Sequence, residues 1–590
     1  MKLSRISLAV LPLCSMFSLQ AAVYSVVEVG QVETLKSTYA AGINNNGDAV
    51  FNGVIKQSRS NSAGGSYTDY QLFNFPIDLS LIDFEDETIQ SYFTEQQLND
   101  LLNGNLSAET LRILLNVNPT TVNQPVGDVI NFYKPQGSSA QNLLLRDTNA
   151  TRGNSEYLLS INDSGVAVGF ATPVRTYQSF TPAATEETPE PEEEFFWVPE
   201  LPLTSAVVVK DNIVTQISAP YTELAGGFTV ARKISSDNRI AGYGSVGIDE
   251  TAYETISTAC DGEDEPVIFC LASRTSELTY DQRAMVWQLQ ADGSVAEPQV
   301  FGFLGDKNTG TAFEGENFND INYYSQATAV NRNGIAVGLS MYSDSSRTER
   351  YISNNFYVNG IYRQAHASIF VDDQVLPIVD PAEWSVISTS VVGSTATDIN
   401  DNDVIVGYAN KVINSGVRSK MFVYDYASGQ LTFPTGFFAS SSTQANAINN
   451  VGQVVGNAEV IIGGTTTRRK HGFIYDMTNG SFTDLNSLVG CNSGYTIVDA
   501  ADINDNGVIA ATALVKRENR DLFGEPVLDA AGNPVYEDFS TVVHLTPVAN
   551  GEAENCDADS TEYERKGGSW HFAWLFAAAG LLWRRRFVRK

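Results

Sequence analysis

One arrangement of apolar and polar positions returns along this chain. A small residue precedes Ile-Asn, a polar turn follows, and an apolar pair, often closed by Gly, comes next. It opens as Ala41-Gly42-Ile43-Asn44-Asn45-Asn46-Gly47 and returns as Ser160-Ile161-Asn162-Asp163-Ser164-Gly165-Val166-Ala167-Val168-Gly169. A degenerate copy reads Ile234-Ser235-Ser236-Asp237-Asn238-Arg239-Ile240-Ala241-Gly242. Four more begin at Val330-Asn331, Ile399-Asn400, Ile448-Asn449 and Ile503-Asn504, which makes seven. The phrase has the chemistry of a β-hairpin. A β-branched residue ends one strand, Asn bonds its own backbone in the turn, Gly accepts positive φ, and alternating Val/Ile opens the partner strand. The closing Gly permits a bulge or close backbone packing.

A second phrase, rich in aromatics, follows several copies: Phe195-Phe196-Trp197, Ala284-Met285-Val286-Trp287, His366-Ala367-Ser368-Ile369-Phe370, Met421-Phe422-Val423-Tyr424-Asp425 and His471-Gly472-Phe473-Ile474-Tyr475-Asp476. After the last, Gly480-Ser481-Phe482-Thr483-Asp484 adds another turn and strand. One unit is therefore about four strands. The spacings between copies, Ile to Ile, are 118, 73, 96, 69, 49 and 55 residues. The short ones fit a propeller blade of roughly 40–50 residues, and the long ones carry insertions. The pattern predicts an all-β chain over residues 23–550, folded as a seven-bladed β-propeller. A sandwich array or a split propeller would use the same hairpins.

A propeller must join its ends or leave open sheet edges. Val23-Tyr24-Ser25-Val26-Val27-Glu28-Val29 and Ser540-Thr541-Val542-Val543-His544-Leu545-Thr546-Pro547 are both β-rich, and they are expected to share one blade. Within the first long spacing, Thr94-x-x-Gln97 and Ser107-x-Glu109 open short helices in an insertion at about residues 85–117. Leu98, Leu101 and Leu102, then Leu111, Leu114 and Leu115, give the helical spacing. Residues 181–194 are rich in Pro and Glu and read as a solvated loop; residues 249–265 read as a polar loop carrying Cys260.

The alternation resembles the bacterial HAF-repeat proteins, which are extracellular. Their consensus joins a His-Ala-Phe strand to an Ile-Asn-x-x-Gly-x-Val-Val-Gly hairpin. His471-Gly472-Phe473 and His366-Ala367-Ser368 approach the first part, and residues 447–456 match the second. The resemblance implies an exported protein of a gammaproteobacterial family of unknown function. It brings no activity and no catalytic residues.

Both ends read as address labels. Residues 1–22 have a signal peptide's charged start at Lys2 and Arg5, an apolar run from Ile6 to Phe17, and small Ala21 and Ala22 for cleavage. At the other end, beyond a linker at 551–566, Gly567-Gly568-Ser569 precedes an apolar stretch at 570–583, then Arg584, Arg585, Arg586, Arg589 and Lys590. As a transmembrane sorting helix its 14 residues reach roughly 21 Å. That is short of the roughly 30 Å hydrocarbon core. The tail, 567–590, resembles the GlyGly-CTERM sorting signal of Gram-negative bacteria. This resemblance implies a rhombosortase-like intramembrane protease as partner, with the glycines exposing the backbone to it. A plain single-pass anchor is the other reading. Either one places the body outside the cytoplasm: membrane-tethered before processing, then on the cell surface or secreted.

Composition sharpens the picture. The 590 residues carry 37 Lys and Arg against 69 Asp and Glu, a net charge of −32. Signal and tail hold seven of the basic residues and no acidic one, so 30 face 69 in the body, a charge of −39. Such acidity excludes a nucleic-acid partner. Four cysteines remain after Cys14, namely Cys260, Cys270, Cys491 and Cys556. Three pairings into two disulfides are open; nearest-neighbour order favours Cys260–Cys270 and Cys491–Cys556.

Candidate chemistry is sparse. His366 and His471 occupy the same place in the repeat and, with His544 in a final apolar strand, read as packing residues. Gly242-Tyr243-Gly244-Ser245-Val246-Gly247 spells a dinucleotide fingerprint, but no βαβ context follows. Asp502-x-Asn504-x-Asn506 starts like a calcium loop yet has Ala513 where a bidentate Glu belongs, so no cofactor is expected and calcium is the one metal to consider. Nucleophile elbow, P-loop and zincin motifs are absent. The leading expectation is a non-catalytic binding or scaffold protein for an extracellular protein or glycan. The alternative is an extracellular hydrolase acting on polysaccharide or peptide through a carboxylate pair. An enzyme should converge two or three carboxylates at one end of the central channel.

Overall fold

Each Ile-Asn phrase forms the hairpin between the first two strands of a sheet, and seven such sheets stand around one axis in the computed structural model. The structure describes residues 23–553 apart from 61–65, 71–81, 83, 118–123, 150, 187, 263, 305–322, 354–355, 380–392, 414–415 and 462–466. The tail with Gly567, Gly568, Ser569 and Arg584–Arg586, the signal peptide and Cys556 lie outside the described residues.

Blade 1 holds Thr38–Ile43, Ala49–Val54 and Val129–Lys134. Blades 2 to 6 have four strands each, beginning at Glu156, Thr229, Ser325, Ser394 and Thr443. Blade 7 holds Tyr495–Ile503, Ile509–Glu518 and Tyr536–Pro547, and its fourth strand is Tyr24–Glu28 from the other end of the chain. That strand pairs antiparallel with the last one, Tyr24 opposite Pro547 and Glu28 opposite Val543. The expected closure is thus the observed one. Glu28 ties it down: its carboxylate accepts from the Thr541 hydroxyl at 2.5 Å and the Tyr495 hydroxyl at 3.1 Å, and pairs with Arg517.

The hydrophobic core lies between the blades. Each sheet is buried on both faces, so its second strand reads as an apolar run; Ile405 and Val406, on opposite faces, are both fully buried. Val406 packs with Ala445 and Val454 of blade 6, while Ile405 packs with Val337 of blade 4.

The turn chemistry explains the repeat. At the left-handed position of the seven turns stand Gly47, Gly165, Gly334, Gly452 and Gly507, with Asn238 and Asp403 in the other two. The Asn after Ile uses both ends of its amide. In blade 5 the Asn400 oxygen accepts from the Asn402 and Val404 backbone N–H groups, each at 3.0 Å, and shapes its own turn. Its nitrogen donates to the Asn449 carbonyl of blade 6, also at 3.0 Å. The same crossing bond runs from Asn331 to Asn400, Asn449 to Asn504, Asn504 to Asn44, Asn44 to Asn162 and Asn162 to Ser235. The closing Gly of the phrase answers to the first strand, which carries a bulge in every blade. A Cβ on Gly456 would lie 2.0 Å from the Gln444 carbonyl oxygen, and one on Gly407 2.1 Å from that of Thr395.

Two sequence expectations need correction. Phe195-Phe196-Trp197 is not the third strand of blade 2. That place belongs to Ser205–Lys210, whose residues Ala206, Val207 and Val208 are buried on both faces. The aromatics lie on Glu194–Pro199, which pairs with Arg175–Phe180 in a side ribbon. Residues 249–265 are not a loop throughout. Asp249 caps a helix, Glu250–Ala259, and a second helix, Val267–Arg274, packs Phe269 on Phe196 of the ribbon. A disulfide joins Cys260 to Cys270 with their Cα atoms 5.5 Å apart. The blade 1 insertion has helices at Glu95–Leu102, with Thr94 and Gln97 as a capping box, and Ala108–Val117, plus one turn at Glu87–Gln90. No described helix is long and apolar enough to cross a membrane.

Two outcomes test this account. Asn400→Asp keeps the oxygen that shapes the turn but loses the donor to blade 6, and should destabilise by about 1–3 kcal/mol in urea titration. Deleting residues 24–28 strips the closing strand from blade 7 and should lower the thermal midpoint by at least about 5 °C; an unchanged midpoint would show that the ring closes without it.

Candidate functional site

The bulge in each first strand sets the residue before Ile at the inner rim, where the axial channel opens on the turn side. In four blades this residue is small: Gly42, Ser160, Ala329 and Ala447. In the other three it is Lys233, Asp398 and Asp502, and all three line a cavity of about 140 Å³ at the end of the channel. Rings of Asn and Asp from the turns form its mouth, among them Asn45, Asp163, Asp401, Asn450 and Asp505. These too are bonded blade to blade: Asn450 donates from its backbone and side chain to Asp505 at 2.8 and 3.0 Å, and Asp505 donates to Asn45 at 2.8 Å.

Lys233 crosses the channel. Its ammonium lies 2.7 Å from Asp398 of blade 5 and 3.7 Å from Asp502 of blade 7. The Asp398 side chain is 1% exposed, that of Asp502 14% and that of Lys233 28%. Each carboxylate is also held by backbone. Asp398 accepts from Ile399 N–H at 2.9 Å and from Ile448 N–H of blade 6 at 3.0 Å; Asp502 accepts from Ile43 N–H of blade 1 at 3.0 Å. Ser160 does the same with Ile234 N–H at 3.3 Å. Burial pulls the Lys233 ammonium down, but the two carboxylates outweigh it and hold its pKa above the ordinary lysine value. Burial pushes the Asp502 carboxyl up, Lys233 opposes this, and Asp398 adds to the rise. One cation facing two carboxylates thus bridges blades 3, 5 and 7.

The residues singled out in the sequence fall into place around this centre. Asp502 belongs to the triad. Asn504 donates to Asn44 at 2.9 Å and Asn506 to Asn45 at 3.0 Å, so the three side chains of the calcium-like string are engaged in blade-to-blade bonds. Among the described residues no cluster of three or more His, Cys, Asp or Glu could hold a metal ion. The Gly242–Gly247 string lies inside the strand Arg239–Ile248, and a Cβ on Gly242 would meet the Val230 carbonyl oxygen at 2.0 Å. Cys491 is disulfide-bonded at the entry to blade 7.

His366 and His471 mark a level of the third strand that Arg283 and Lys420 share in blades 3 and 5. There a long polar side chain latches the chain that leads to the next blade. Arg283 donates to the Tyr323 carbonyl at 2.9 Å, Lys420 to that of Ala439 at 2.9 Å, and His471 shares a 2.7 Å hydrogen bond with Asp484. His366 is fully buried, edge-on to Tyr342. His544, in the last strand, is pulled down to about 4 by burial and by Lys134.

Sequence reading missed a set of hydroxyls five positions before the Ile. Thr38, Thr229, Ser325, Ser394 and Thr443 are buried, and each accepts from a third-strand N–H of the preceding blade, such as Ala367 to Ser394 at 2.8 Å and Met421 to Thr443 at 3.0 Å. The signal was present, since a hydroxyl stands there in five of seven copies. Blade 2 has Glu156 instead, whose carboxylate accepts from the backbone of Leu145, Arg146 and Asp147.

Lys233→Met should leave two carboxylates facing each other without a cation, a loss of about 2–4 kcal/mol at pH 7. The pH dependence follows in sign. The pKa of Asp502, already raised, would rise further, so the folded variant binds protons more readily than its unfolded chain. Its deficit should therefore be full near neutrality and shrink as pH falls through the carboxylate range. Urea titrations of both proteins at pH 7 and pH 4.5 check this, and an equal deficit at both would exclude carboxylate repulsion as the cause.

Known structures resemble the chain only distantly. TolB from Acinetobacter baumannii matches at 11% identity with a TM-score of 0.26, over 72% of this chain and 77% of its own. A puromycin hydrolase matches at 10% and 0.32, over 84% and 62%. A puromycin-hydrolyzing peptidase from Mycobacterium tuberculosis matches at 9% and 0.30, over 84% and 61%. The chain thus spans less than two thirds of the last two, and likenesses this weak carry no argument about chemistry. No curated protein matches. A family model does match, over residues 1–586, and the chain belongs to that family, described as a protein of unknown function (DUF3466).

Proposed function

We propose that this protein is an exported, non-catalytic binding or scaffold module. The observation that carries the reading is the state of the channel carboxylates. A hydrolase acting through a carboxylate pair needs one acid to give a proton and one base to take it, both within reach of substrate. Asp398 and Asp502 do converge at the channel end, as an enzyme would require. Both oxygens of Asp398 are held, one by Ile399 N–H and the other by Lys233 and Ile448 N–H, and its side chain is 1% exposed. Asp502 is engaged with Ile43 N–H on one oxygen and faces Lys233 with the other. Such a pair serves to hold blades together.

Export, tail processing by a rhombosortase-like protease and release to the cell surface belong to the same proposal. They rest on the charged and apolar start of the chain, the Gly567-Gly568-Ser569 break and the basic end. The ligand is an extracellular protein or glycan, and the reading requires no cofactor.

Incubating the intact protein with panels of polysaccharides and peptides, and following both retention and cleavage, tests the reading. The expected result is retention of a ligand without turnover. Cleavage that disappears in Asp502→Asn while the fold persists would establish the hydrolase instead.

A further inference from the structure

The strands leaving the Asn turns end on the opposite side of the ring, where basic residues gather in two neighbouring blades. The blade 5 hairpin carries Lys411, Arg418 and Lys420 there, and the blade 6 hairpin Arg468, Arg469 and Lys470. Burial pulls the Lys420 ammonium down to about 8, with Arg418, Arg468 and Lys411 acting in the same direction against Glu459. Between blades 6 and 7 lies a groove of about 480 Å³, lined by Arg469, Lys470, His471, Thr496, Lys516 and Asp538 among others. Arg469, Lys470 and Lys516 are exposed, and none has an ion-pair partner among the described residues. Three unpaired cations beside a single lining carboxylate stand out on a chain of net charge −32. On the paired strands Lys470 lies across from Glu459 and Lys516 across from Asp538, yet neither closes an ion pair, which leaves the groove open to an added acidic partner.

The same side of the ring carries their complement. The ribbon of blade 2, Arg175–Phe180 with Glu194–Pro199, is joined by the loop that holds Glu186, Glu190, Glu192 and Glu193, and Glu194 opens its second strand. Of these, Glu186, Glu190, Glu192, Glu193 and Glu194 are exposed. Pro182, Pro189 and Pro191 stiffen the loop toward an extended form, which reduces the entropy lost on docking. Blades 7 and 1 stand between this loop and the groove.

We propose that the groove between blades 6 and 7 receives the acidic loop of a second copy of this chain, in a two-fold dimer joined through the faces opposite the Asn turns. Any two points on one face of a disc can be exchanged by a two-fold axis lying in the plane of that face. Loop and groove therefore meet twice in the same dimer, and the contact closes on itself without forming a filament. Each docked loop brings the second within reach of its groove, which strengthens a contact that would be weak alone. The pairs are exposed, so salt should screen them.

Light scattering and sedimentation of the intact protein test the proposal. A dimer is expected at low ionic strength, with its dissociation constant rising at least about tenfold in about 0.5 M salt. A groove variant, Arg469→Glu/Lys470→Glu/Lys516→Glu, and a loop variant, Glu190→Lys/Glu192→Lys/Glu193→Lys, should each be monomeric with the parent's thermal midpoint. Mixed together they should form a heterodimer, because both contacts then pair opposite charges again. A monomeric parent at low salt, a dimer indifferent to either variant, or failure of the mixture to associate would each overturn the proposal. So would a monomeric parent whose groove retains polyglutamate or oligogalacturonate, since the site would then serve a different acidic chain.

Discussion

The side-chain amide that closes the first strand in six of the seven blades makes the bond on which the ring depends. One end of it, the oxygen, fixes the turn of its own blade; the other, the nitrogen, reaches a carbonyl of the next. A propeller has no single core, only a series of interfaces between sheets, and each sheet depends on both neighbours. The apolar contacts between blades set distance but not register, because dispersion and hydrophobic burial are non-directional. The directional bonds come at two levels. Amides join the blades at the turns, and buried hydroxyls join them at the start of the first strand. Both use buried backbone groups that would otherwise lack partners.

This explains what the sequence made legible. Turn geometry leaves little choice of residue: five of the seven left-handed positions hold Gly, and the other two hold Asn238 and Asp403, residue types that tolerate it. The blade count could be read from those positions alone. Closure was legible for a different reason. A ring cannot end on an open edge, so the two β-rich ends had to meet, and Tyr24–Glu28 does lie beside the last strand. The Glu28 contacts that secure it depend on residues more than 460 positions away and left no local mark.

The errors have equally physical origins. Phe195-Phe196-Trp197 reads like a blade strand because its aromatics do form a strand, but one that packs on Tyr177 of its ribbon partner and on Phe269 of the neighbouring helix. The buried third strand, Ser205–Lys210, has no aromatic residue and so escaped a search for aromatics. The channel triad was hidden by its position in the repeat. Before Ile the phrase has a small residue in four copies, and nothing in the sequence ties Lys233, Asp398 and Asp502, which stand there in the other three, to one another. Only the closed ring brings blades 3, 5 and 7 to a common axis.

The cation of the triad and the one turn that does not open on asparagine are in the same blade. Blade 3 has Ser235 where the other six have Asn, so no amide leaves its turn for blade 4. Two cations of that blade reach other blades. Arg239 donates to the Arg332 carbonyl of blade 4 at 2.7 Å, across the seam. Lys233 bridges the channel to blades 5 and 7, which lie beyond the reach of any turn amide in blade 3. The neighbouring carboxylates that receive it are placed by backbone N–H groups of blades 6 and 1. The blade whose turn does not open on asparagine thus contributes the cation that, through its two carboxylates, links five blades at the axis.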